Sequence, residues 1–141
     1  MSLNWLGVAM AAAAFFGIWF GHVGVRKIEG ASSSLWLPAL SALALGVALE
    51  VGALLSPGPY LSGALGIVGI TVLWDALEFR RQHNRVRRGH APANPHNHRH
   101  ARLLAESPAA TTTDWLKREP VGRPLNREAA PASGESGATS T

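Results

Sequence analysis

The chain has 141 residues, 47% apolar and only 16% charged, with a formal net charge of +4 and no cysteine. The length allows one domain at most, and the missing thiols exclude a disulfide framework, thiol catalysis, Cys-ligated zinc and iron–sulfur clusters. The charged fraction falls well below the quarter or so that is usual in soluble domains.

Charge is unevenly placed along the chain. Residues 1–79 carry two basic and four acidic side chains, residues 80–105 carry seven arginines and no acid, and residues 106–141 carry four basic and five acidic side chains. The basic character is therefore one segment directly after the apolar part. Eleven Arg against two Lys, with abundant Ala and Gly, read as the product of a GC-rich bacterial genome.

Residues 3–25 hold no formal charge. At ~1.5 Å rise per residue they reach roughly 34 Å as a helix, enough to cross a ~30 Å hydrocarbon core. A cleaved signal peptide is the rival reading, but the stretch lacks a basic start and is too long for the apolar core of such a signal. Residues 35–55 hold one charge, Glu50; Ser34 is placed to cap this helix, and Pro38 falls in its first turn. Ser56-Pro57-Gly58-Pro59 reads as a stop and restart. Residues 60–79 form the third span, with Asp75 and Glu78 at its inner edge. No breaker follows before Gly89, so this helix is expected to run from Pro59 to Arg88 and carry a basic end into water.

The expected fold is an all-α membrane protein. Three transmembrane helices form a small antiparallel bundle within residues 1–89, residues 90–105 form a basic His/Pro/Asn-rich juxtamembrane segment, and residues 106–141 form a disordered tail. Arg26 and Lys27 beside the first connection and the arginines after the third span predict the N-terminus outside and the C-terminus in the cytoplasm, in the bacterial inner membrane. The aromatics agree, with Trp5 and Tyr60 at the outer level and Trp19, Trp36, Trp74 and Phe79 near the inner one. Small residues recur where helices would pack: Gly17 and Gly21, Ala42 and Gly46, Ala48 and Gly52, then Gly63, Gly66 and Gly69. Packing within one chain is the simplest use of them. Three short helices bury little area, which makes a homo-oligomer or a larger membrane complex an expected partner beside the bilayer itself.

An acid at the bilayer centre costs ~2.5–3.5 kcal/mol on insertion scales, so each intramembrane acid needs a reason. The topology puts His22, Arg26, Glu29, Asp75 and Glu78 at the inner interface, where pairing of His22 and Arg26 with Asp75 and Glu78 would fix the first helix against the third. Glu50 sits nearer the outer end, within reach of Ser62. Arg80, Arg81, Arg85, Arg87 and Arg88 directly follow a span and suit anionic lipid headgroups. That tether already accounts for the charge, so no nucleic-acid partner is expected.

His96, His98 and His100 recur at period two and are candidate metal ligands. No carboxylate lies nearby in sequence to orient them, which favours a solvated loop. In the tail, the stretch from Thr113 to Arg118 is the one patch suited to docking. Walker, dinucleotide-binding, HExxH and nucleophile-elbow motifs are missing, so an enzyme is not expected and no cofactor is implied.

The order of features resembles a small bacterial membrane family, domain-of-unknown-function family 4491. The matching points are Gly21-His22 followed by Val25-Arg26-Lys27-Ile28-Glu29, then Leu65-Gly66-Ile67-Val68-Gly69, Trp74-Asp75-Ala76-Leu77-Glu78, and Arg85-Val86-Arg87-Arg88-Gly89-His90-Ala91-Pro92-Ala93-Asn94-Pro95. The chain departs from the pattern at His90-Ala91, where bulkier aromatics are expected, and in its His-rich stretch and long tail. The resemblance implies the three-span topology and no catalytic residue. It directs attention to His22, Arg26, Glu29, Asp75, Glu78, Asn94 and Pro95. The leading expectation is a non-enzymatic accessory or scaffold component of the membrane. A small oligomeric transporter or channel using His22, Glu50, Asp75 and Glu78, or a metal-responsive protein using the His-rich loop, are the alternatives.

Overall fold

A computed structural model describes residues 4–115. Its helices are α1 (Trp5–Ala31), α2 (Trp36–Leu55), α3 (Pro59–Arg87) and α4 (His98–Glu106). The first three are long and apolar enough to cross a membrane.

The Asn4 side chain starts α1 by accepting the Leu6 amide at 3.1 Å. The helix does not stop at Val25, where the apolar run ends, but continues through Arg26, Lys27 and Glu29 to Ala31. Those three residues are strong helix formers, so the basic pair lies on the last turns of α1 rather than in a loop. Ser34 reaches the Leu37 amide only at 3.5 Å, and Leu35 takes the cap position of α2. Gly58 and Pro59 restart the chain as expected, with Pro59 opening α3. Past Arg87 the His90 amide donates to the Arg85 carbonyl and the Gly89 amide to Val86, a closure that requires the left-handed φ of 73° at Gly89.

The small residues explain the packing. Helix α3 is central, with α1 and α2 docked on different faces of it. A Cβ on Gly17 would meet Thr71, and one on Gly21 would meet the Asp75 carboxylate, so this pair brings α1 onto α3. Gly46 of α2 admits Leu73, while Gly69 of α3 admits Glu50. The GxxxG pair of α1 is thus occupied within the chain. Between α1 and α2 a groove of about 700 Å³ remains, floored by Val68, Val72 and Asp75 of α3.

Large apolar side chains point outward along all three helices, among them Phe15, Ile18, Phe20, Leu37, Leu40, Leu54 and Ile70. Monomeric soluble proteins rarely show so broad an apolar exterior; for a membrane-embedded bundle it is the ordinary one. Trp36 and Trp74 are exposed at the end where the arginines lie, but Phe79, expected beside them, is 3% exposed and packs inside.

Two further expectations change. Residues 90–106 are not a solvated loop: Val86, Ala91, Ala93 and Leu103 bury one another, with Leu104 packed against them, and α4 forms. Nor is Glu106 the start of a structureless tail, because residues 107–115 fold back, with the Ala93 amide donating to the Thr111 carbonyl at 2.8 Å. The rest of the expected tail, 116–141, lies outside the described residues.

Candidate functional site

The last carbonyls of a helix have no partner within it. In α1 they are met by side chains from some seventy residues further on, and this builds a buried polar centre. Asn94 donates its side-chain amide to the Gly30 carbonyl at 2.9 Å, and Asn97 donates to Gly30 at 3.0 Å and Ser32 at 2.8 Å. The Asn97 carbonyl oxygen meanwhile accepts the Arg99 amide at 2.9 Å. One asparagine therefore closes the C-terminus of α1 and opens the N-terminus of α4.

Arg99 completes the closure. Its guanidinium donates to the Glu29 carboxylate at 2.7 Å, to the Glu29 and Ser32 carbonyls, and to Nδ1 of His83 at 2.6 Å. Glu29 is 1% exposed and His100 0%. The Asn94 backbone amide donates to His100 Nδ1 at 2.9 Å, so the ring proton sits on Nε2 and points at Glu29 Oε1, 3.1 Å away. An arginine can only donate, so His83 Nδ1 accepts and that ring, too, is neutral. The centre is one buried carboxylate facing one guanidinium, with two neutral imidazoles around them. The second Glu29 oxygen is buried and makes no hydrogen bond.

The expected interface residues divide among several contacts. Arg26 lies 3.8 Å from Asp114, not against Asp75 or Glu78. Glu78 is buried and forms an ion pair with Arg85 at 2.5 Å and with Arg81 at 3.6 Å. Arg81 also lies over the Trp74 ring. Asp75 and His22 line one cavity of about 740 Å³ beside Trp74, and Asp75 also faces the groove between α1 and α2. Glu50 packs on Gly69 of α3, and Ser62 donates to the Ala53 carbonyl at 2.8 Å instead of to Glu50. Of the five arginines assigned to lipid, Arg80, Arg81, Arg87 and Arg88 are exposed, while Arg85 is drawn inward to Glu78 and Gln82.

The histidines separate as well. His96 and His98 are exposed, whereas both ring nitrogens of His100 are engaged inside. Among the described residues no group of three or more His, Asp or Glu is placed to hold a metal. His96, His98 and His100 are therefore not one ligand set, because the third would have to abandon Glu29. Arg99, Asn97 and Gln82 were not anticipated from the sequence, and His83 only as one of several imidazoles able to meet a metal.

No curated protein and no solved structure matches the chain. A family match, to the domain of unknown function (DUF4491), runs over residues 4–97. It takes in all three long helices, Glu29 and both capping asparagines, and stops short of Arg99 and His100. With most of its length under that match, the chain belongs to the DUF4491 family.

Proposed function

We propose that this is a non-catalytic scaffold of the bacterial inner membrane, with its N-terminus outside, its C-terminus in the cytoplasm, and anionic lipids held by Arg80, Arg81, Arg87 and Arg88. The observation that carries the reading is how the inner polar residues are used. Glu29, Arg99, His100, Asn94 and Asn97 bond one another and the end of α1, which supports reading this end of the bundle as a platform. The exposed arginines then flank that platform at the level of the headgroups, where each gains roughly 1 kcal/mol from an anionic surface. A second copy or another membrane protein is the expected partner.

Orientation is checked with single cysteines, since the chain has none of its own. Pro57→Cys between α2 and α3 is expected to react with an impermeant maleimide from outside intact cells, and Thr112→Cys only after permeabilisation. The reverse labelling would invert the topology.

A transporter is the second reading, favoured by Asp75, whose carboxylate reaches both large cavities. The scaffold reading expects proteoliposomes without ion flux above that of empty vesicles, and a purified chain that runs as one defined oligomer or with a stoichiometric partner. Flux abolished by Asp75→Asn would replace it with transport.

A further inference from the structure

We propose that the segment after α4 returns to the bilayer and seats the Trp115 indole among the headgroups of the leaflet that the arginine cluster faces. Residues 107–115 run back along the end of α3. The Ala109 carbonyl occupies the space a Gly89 side chain would need, and the Trp115 indole N–H donates to the Gly89 carbonyl at 3.2 Å. Asp114 is held near Arg26. These contacts set the depth of the indole. It borders a cavity of about 200 Å³ together with His22, Arg26, Gln82, Arg85 and His90. His22 and Arg26 bracket Val25, the last residue of the apolar run of α1, so the indole lies where hydrocarbon gives way to headgroups.

At that depth the ring is 67% exposed. Its polar edge is satisfied and its apolar face is not, which is the state in which tryptophan favours a membrane interface. In sequence, Trp115 is followed by Leu116-Lys117-Arg118, one apolar residue and two cations. That combination suits an anionic lipid surface. The inference rests on the membrane reading of α1 to α3 and adds a second attachment to the bilayer at Trp115.

The test uses the full chain in vesicles of phosphatidylcholine and phosphatidylglycerol. The emission lost between the native protein and Trp115→Phe isolates the Trp115 component. That component is expected to be blue-shifted and to lose about half or more of its intensity when the acyl chains are brominated near the headgroup, while aqueous iodide has little effect. Quenching by iodide and not by bromolipid would place the ring in water. Quenching by neither would place it under protein. Either result overturns the proposal. A nitroxide on Thr113→Cys, with Trp115 intact, gives the same answer should the Phe variant fail to fold: phosphate depth supports the seat and an aqueous reading removes it. A label on Ile70→Cys separates the two ideas, since hydrocarbon depth there with water at Thr113 would sink the seat alone.

Discussion

Arg99→Ala is expected to be the most damaging single change in the polar part of the molecule beyond the spans. It leaves the Glu29 carboxylate, 1% exposed, without its cation, and it strips donors from the Glu29 and Ser32 carbonyls at the end of α1. Removing one partner of a buried ion pair costs about 3–5 kcal/mol, mostly because the other charge stays buried and unpaired. Residues 90–106 depend on that pairing for their hold on α1, since the apolar cluster of Val86, Ala91, Ala93 and Leu103 is small. The measurement is amide exchange in lipid nanodiscs. Protection across α4 and the last turn of α1 should collapse while the spans stay protected. Because the loss comes from a stranded charge, adding Glu29→Gln to Arg99→Ala should recover about 1–3 kcal/mol of it, the rest reflecting missing hydrogen bonds. A double variant no better than Arg99→Ala would show that the pair carries no coupling.

The same residues show where sequence reading reaches its limit. The spans were legible because their signals are local: a charge-free run, Pro59 at a helix start, Gly89 at a helix end. The small residues also announced close packing, though only the folded chain assigns Gly21 to Asp75 and Gly46 to Leu73. The knot at Glu29 was not legible because it joins two polar segments about seventy residues apart, each of which reads as solvated alone. Two clues were present. An acid in the last turn of a helix opposes the helix dipole and so calls for a cation. Asn97 just before His-Arg-His-Ala-Arg-Leu-Leu-Ala-Glu is a helix-capping residue at a helix start. Taken together they would have put α4 near the end of α1. Period two in the histidines misled, because the turn that ends at Asn97 and the first turn of α4 break the alternation and send His100 inward while His96 and His98 stay out.

The second large effect belongs to the spans. Gly46→Ala is expected to loosen α2 from α3, at a cost of about 1–3 kcal/mol from overpacking. Its Cβ would stand 2.6 Å from Leu73 Cγ and 2.9 Å from the Leu73 backbone nitrogen. A side chain alone could turn away; the backbone of α3 cannot move without disturbing its contact with α1 on another face. Gly46→Leu is expected to separate the helices outright, because apolar surface has no water to escape in lipid and close backbone approach supplies the attraction. Gly24 of α1 is the control. Nothing lies within 4 Å of a Cβ there, so Gly24→Ala should gain about 0.5–1 kcal/mol through helix propensity. The check is a disulfide between cysteines placed at Ala53 and Gly66, since a Cβ on Gly66 of α3 would stand 3.8 Å from the Ala53 Cβ of α2. Its yield under mild oxidation should fall with Gly46→Ala, nearly vanish with Gly46→Leu, and hold with Gly24→Ala. Equal yields in all three would mean that the closeness of Gly46 to Leu73 does not hold α2 in place.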